Sequence, residues 1–211
     1  MYAARPQKTA GAQRSLEKEK SMAPKLQPVH LRVSDAATGK PTPCRLRCTD
    51  PAGNYYAPYG RLTAFPTGIN EDVGGNVLIH GKPYAYIDGA CEIDLPPGMV
   101  HIEVHKGPEY RPIDQDYQVQ AGKLSLRLTL ERWTNARAEG WYAGDPLAHF
   151  LSPRAALLEG QAEDLALVQV LVVPHERTNP DGRSWLTFPG LLDFSGQEPA
   201  LANAAVQVAV N

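Results

Sequence analysis

A mainly β fold is predicted, with an Ig-like β-sandwich over residues 28–131 followed by a partial α/β segment over 132–211. Three observations predict it. Between residues 28 and 131, some seven short runs alternate apolar and polar residues, which is the period of a strand with one buried face. Gly, Pro, Asn and Asp gather between those runs at the spacing of sandwich turns. Beyond residue 152 the pattern changes to a helical run and then a nearly all-apolar strand, V-Q-V-L-V-V at 168–173, as in buried parallel sheets.

Taken in order, residues 1–27 are Lys-, Gln- and Ala-rich without an apolar core segment. They read as a disordered tail rather than a secretion signal, with Met22 as an alternative start. Runs at 29–33 and 44–48 are expected to form two strands of a meander, and D-P-A-G-N at 50–54 is turn chemistry. Tyr55, Tyr56 and Tyr59 lie in a Pro- and Gly-punctuated stretch ahead of a long polar loop. Clustered tyrosines can make a ligand platform, or they can close an open end of the core.

Tyr84–Ile87 and Cys91–Leu95 flank Asp88-Gly89, a strong hairpin signal because Asp-Gly supplies the positive φ angles of a two-residue turn. Pro96-Pro97-Gly98 ends that strand. Runs at 100–105, 117–119 and 124–130 complete the set. His101, Glu103 and His105 alternate with Val100, Ile102 and Val104. They could ligate zinc, but a solvated polar stripe has the same pattern, and that plainer reading is taken. In the last segment, Ser152 is a fair N-cap with Pro153 at the first position of a helix over 153–167.

Composition narrows the field. The net charge is −2 with both signs interspersed, which gives no electrostatic reason to expect nucleic acid or an anionic membrane as partner. No run of about twenty apolar residues is present to span a bilayer. The compartment stays unknown, with the cytoplasm as default. Cys44, Cys48 and Cys91 are too few for a disulfide scaffold and read as small buried or half-buried thiols.

The junction G-W-Y-A-G-D-P-L-A-H-F at 140–150 organises the functional reading. Residues two apart on a strand share a face, so Asp145, position 147 and His149 are expected to project together. Two imidazoles so spaced, with a carboxylate, can hold a cation, but position 147 is Leu. A lone His149 is also compatible with an ordinary structural histidine. His175, just past the apolar strand, stands where α/β folds place active residues, although loop histidines there are mostly solvent groups.

Gly140, Trp141, Tyr142, Gly144, Asp145 and His149 resemble the Gly-Trp-Tyr-x-Gly-Asp-x-His-x-His junction of CehA/McbA-type metal-dependent hydrolases of the PHP (polymerase and histidinol phosphatase) superfamily. Pro146 and Leu147 depart from it. The string from Asp88 to Gly98, with the 107–112 turn, is similar to carboxypeptidase regulatory-like, transthyretin-like domains.

The resemblance implies a transthyretin-like sandwich over 28–131 and the opening of a PHP-type barrel over 132–211. It also implies a divalent metal (Zn, Mn or Fe) near Asp145 and His149, and hydrolysis of an ester, amide or phosphoester. A complete barrel takes on the order of 200 residues. The expectation is therefore an amino-terminal fragment of such an enzyme, or a degenerate form, with weak or absent metal and no activity alone. The alternatives are a stand-alone binding module, using Tyr55, Tyr56 and Tyr59 or a basic groove at Arg45 and Arg47, and an oligomer or partner chain that completes the α/β part.

Overall fold

A computed structural model describes residues 25–60, 76–122, 125–148, 151–171 and 201–210. Among these residues the fold is mainly β. Nine strands form its amino-terminal part: β1 (Gln27–Asp35), β2 (Cys44–Thr49), β3 (Tyr55–Tyr56), β4 (Asn76–Ile79), β5 (Lys82–Ile87), β6 (Ala90–Leu95), β7 (Gly98–His105), β8 (Ile113–Val119) and β9 (Ser125–Leu130). They make a three-stranded sheet, β6-β1-β9, and a six-stranded one, β4-β5-β2-β7-β8 with β3 also on β2.

Strict alternation drives both sheets. In β9, Leu126, Leu128 and Leu130 are buried while Ser125, Arg127 and Thr129 are exposed. The inward residues of the two sheets share one apolar core, in which Leu31, Leu46, Ile87, Ile93, Ile102 and Leu130 are fully buried. Each such side chain contributes about 1.5–3 kcal/mol. First and last strands lie side by side, β1 running parallel to β9 from His30↔Ser125 to Asp35↔Leu130. Gln27, which the sequence places in the tail, already pairs with Leu95. Its amide group accepts from the Gly122 N–H and donates to the Gln120 carbonyl.

Two expected pairings are corrected. Asp88-Gly89 does not close a hairpin, because β5 pairs with β2 and β4 while β6 pairs with β1. The dipeptide instead carries the chain from one sheet to the other. Gly89 has φ +106°, and a Cβ there would lie 2.5 Å from the Thr42 nitrogen. The positive-φ requirement that makes Asp-Gly a hairpin signal is thus real, but it serves a sheet crossing. Likewise β1 and β2 belong to different sheets rather than to a meander.

A hairpin with no expected signal joins β4 to β5 through His80 (φ 51°) and Gly81 (φ 77°). Histidine is among the residues that tolerate the left-handed region. Cys44 and Cys48 are buried free thiols.

After a 3-10 turn at Ala136–Glu139 come β10 (Gly144–Ala148), α1 (Pro153–Ala162), β11 (Leu167–Val170), β12 (Leu201–Ala202) and β13 (Gln207–Val210). Strands β10, β11 and β13 are mutually parallel, and β12 is antiparallel to β13. As expected, Ser152 caps α1, its hydroxyl accepting from the Ala155 N–H at 3.1 Å.

The helix ends earlier than the periodicity suggests. Asp164 adopts φ 57°, the Leu165 N–H donates to the Gly160 carbonyl at 2.8 Å and the Asp164 N–H to that of Gln161. This is a Schellman stop with Asp at a position where glycine is usual. The core of this parallel unit is small, built from Ala148, Ala156, Val168, Val170, Val206, Val208 and Val210. It is separate from the core of the two-sheet unit.

Candidate functional site

The carboxyl ends of the parallel strands finish in one register row, Ala148↔Val170↔Val210. Ligands of open α/β sheets bind beyond such ends. Asp145 stands one turn of the pleat before this row. The register slips between Asp145↔Val168 and Ala148↔Val170, so Pro146 and Leu147 form a bulge and a spacing of two no longer guarantees a common face. Proline explains the slip. It has no N–H for a ladder, and among the described residues β10 is an edge strand with β11 as its neighbour, where proline is tolerated.

Asp145 is half-buried, and its Oδ1 accepts from the Leu147 N–H at 2.9 Å. Leu147 itself is 63% exposed. His149 and His175 lie outside the described residues. Among the described residues no group of three His, Cys, Asp or Glu side chains is arranged to hold a metal ion. A single described carboxylate does not define a metal site.

The three tyrosines are placed by the six-stranded sheet and its neighbour. Tyr56 donates from its hydroxyl to Asp50 of the preceding turn at 3.0 Å. Tyr59 reaches across to the other sheet, its hydroxyl on Asp94 at 2.6 Å and its N–H on the Glu92 carbonyl. Tyr55 is half-buried, and burial raises its hydroxyl pKa. Tyr59 thus ties the segment after β3 to β6, and Tyr56 closes the turn before β3.

The polar stripe on β7 is solvated only at one end: His101 is half-buried and pairs with the exposed Asp114 and Asp116 at 2.9 and 2.8 Å, whereas Glu103 and His105 are covered. Glu103 is 4% exposed and receives hydrogen bonds from Arg47 and from the Tyr84 hydroxyl. Burial alone would raise its pKa, but those donors outweigh it and hold the carboxyl below its ordinary value. Tyr84 is pushed up to about 12, chiefly by burial and then by Glu103. His105 stacks edge-on against Tyr84 at 5.7 Å, and burial, then Arg45, lowers its pKa. Nor do Arg45 and Arg47 form a free basic groove. Arg47 is paired with Glu103, and Arg45 is 2.8 Å from Glu163 and lies over the Tyr84 ring.

What covers this face is α1. Ala156 and Gly160, four apart, face the parallel strands, and a Cβ on Gly160 would lie 2.7 Å from Val168. Ala155, Glu159 and Ala162 form the adjacent stripe, and α1 packs on β2 and β5. At its carboxyl end the helix meets a set of cations. Arg132 bonds Asp164 at 2.8 Å and also Glu109.

Arg137 bonds the Asp164 carbonyl at 3.0 Å. Lys106, 6% exposed, donates to the carbonyls of Gln161 and Pro43, and burial lowers its pKa. Tyr86 donates to Glu163 at 2.9 Å. Gly107 makes the approach possible, because its φ is +52° and a Cβ there would sit 2.5 Å from the Glu163 carbonyl oxygen.

Sequence patterning missed this joint entirely. Its members are spread from residue 43 to residue 164, and nothing in their local periodicity marks them.

No helix among the described residues is long and apolar enough to cross a membrane. Comparison with protein-family models finds no matching family, and comparison with curated proteins finds no match.

Proposed function

We propose that the two-sheet unit is a transthyretin-like β-sandwich carrying the opening strands of a PHP-type metal-dependent hydrolase. In this reading residues 28–131 are the sandwich and 132–211 the start of the hydrolase part. One observation carries the proposal. The Gly-Trp-Tyr-x-Gly-Asp frame leads directly into the first strand of a parallel β10–α1–β11 unit, which is where the resembling enzymes begin their metal-holding strands. Asp145 is the residue of that frame that would approach a cation. Leu147 stands where the pattern has an imidazole, so the site is proposed to be degenerate, with weak or absent metal affinity and no hydrolysis by this chain alone.

Restoring the imidazole tests this reading. The Leu147→His variant should bind Zn, Mn or Fe measurably more tightly than the parent in equilibrium dialysis followed by elemental analysis. Equal and negligible metal in both proteins would remove the support for a hydrolase ancestry of this strand. Stoichiometric metal in the parent, with turnover on an ester and phosphoester panel, would show instead that the site is intact.

A second reading, a binding or interaction module, is favoured by the 73% and 70% exposure of Trp141 and Tyr142. Aromatic side chains so exposed are typical of contact surfaces. It predicts no metal dependence in either protein.

A further inference from the structure

We infer that the two-sheet unit holds the parallel unit through a releasable electrostatic latch closed on the carboxyl end of α1, with Lys106, and Arg132 held to that unit by its β-bridge to Tyr110, on one side and Asp164 on the other. The latch is independent of any hydrolytic role. Three observations lead to it.

The two units have separate apolar cores. Between them lie Tyr84 and Tyr86 of β5 and Ala155 and Ala162 of α1, buried but part of neither core. The units are therefore joined by a thin layer of aromatic rings and alanines and by the polar contacts around the end of α1, and interfaces of this mixed kind within a chain allow relative motion.

The second observation is electrostatic. The last turn of a helix presents unsatisfied carbonyls and the negative end of its dipole. Here a buried ammonium from the opposite unit takes one of those carbonyls, that of Gln161, and Arg137 takes the Asp164 carbonyl. Lys106 is anchored on its own side by the Pro43 carbonyl at 3.0 Å and lies 5.5 Å from the centre of the Tyr110 ring.

The third is the identity of residue 164. A Schellman stop is best served by glycine, yet this chain keeps Asp in the left-handed region. Its carboxylate is what Arg132 grips, at 2.8–2.9 Å. Local helix termination and inter-unit attachment therefore make opposite demands on this position, and their opposition gives a test with a sign.

Asp164→Gly relieves the backbone and removes the carboxylate. If the residue served only to end the helix, the variant would protect α1 better. If it closes the latch, hydrogen exchange on the full-length protein should show α1 and β11 amides exchanging at least tenfold faster, with β1 and β6 unchanged. Lys106→Met, which keeps the stem and deletes the charge, should act in the same direction.

Slower or unchanged exchange in α1 of the Asp164→Gly variant overturns the proposal. So does equal acceleration in β1 and β6, because the two units would then open as one body.

Discussion

The two units of this molecule are stabilised on different principles. The two-sheet unit buries branched aliphatic side chains from both sheets, Leu31, Leu46, Ile93, Ile102 and Leu130 among them. It also joins its first strand to its last. The parallel unit buries alanines and valines. Its helix lies so close to the strands that glycine is required at 160, and its other covered stripe rests on the neighbouring unit. Small residues allow close approach but remove little apolar area from water, at roughly 25 cal/mol per Å². The lesson is that the parallel unit depends on what it is docked to, whereas the two-sheet unit has a core of its own.

The largest effect should come from emptying the larger core. Leu46→Ala removes a fully buried side chain of β2 and should cost about 2–5 kcal/mol. Urea denaturation should show both units lost together, because β2 also carries the contact with α1. Survival of the two-sheet unit at parental stability would break the comparison.

A smaller loss, confined to one unit, is expected from Gly160→Val. The added branches meet Val168 and Val206, an overpacking worth roughly 1–3 kcal/mol. Far-UV circular dichroism through a thermal ramp should resolve an early transition from the parallel unit, followed by a second at the parental midpoint. A single shifted transition would mean that the units cannot unfold separately.

The smallest effect concerns pH at the joint. His105 is faced by Arg45 on β2, Glu103 on its own strand, Tyr84 on β5, Asp114 on β8 and Glu163 after α1. Burial, the leading cause, lowers its folded pKa below the ordinary 6.5. The unfolded chain then binds the proton more readily, so stability is fully present above that value and falls as pH drops through it toward the folded pKa. His105→Gln should flatten the change in denaturation midpoint between pH 7.5 and pH 5, the range above the carboxylates. A parent midpoint that does not fall across this range would contradict the burial argument.

Different parts of the fold were legible for different reasons. Alternation in 29–33, 44–48 and 124–130 identified strands because a half-buried sheet imposes its period on the chain. Ser152-Pro153 identified the start of α1 because capping is local chemistry. The stop at Asp164 was hidden, since the sequence there continues an apolar helical pattern and the residue that ends it is not glycine. For Asp145 the frame of the junction was legible. The bulge at Pro146 and Leu147 was not, because its register depends on which neighbour β10 pairs with.

What the sequence by itself determined is most of the longer strands, the helix cap and the parallel β10–α1–β11 unit, all of which follow from periods of two or 3.6 residues and from local φ preferences. Tertiary structure decided the rest. It assigned β5 and β6 to different sheets although Asp88-Gly89 lies between them, buried Glu103 on a face that reads as solvated, and gathered Lys106, Arg132 and Asp164 into one joint. The physical reason is that pairing partners and buried charges are selected by what arrives from distant parts of the chain. A strand's own pattern says only that one of its faces must be covered.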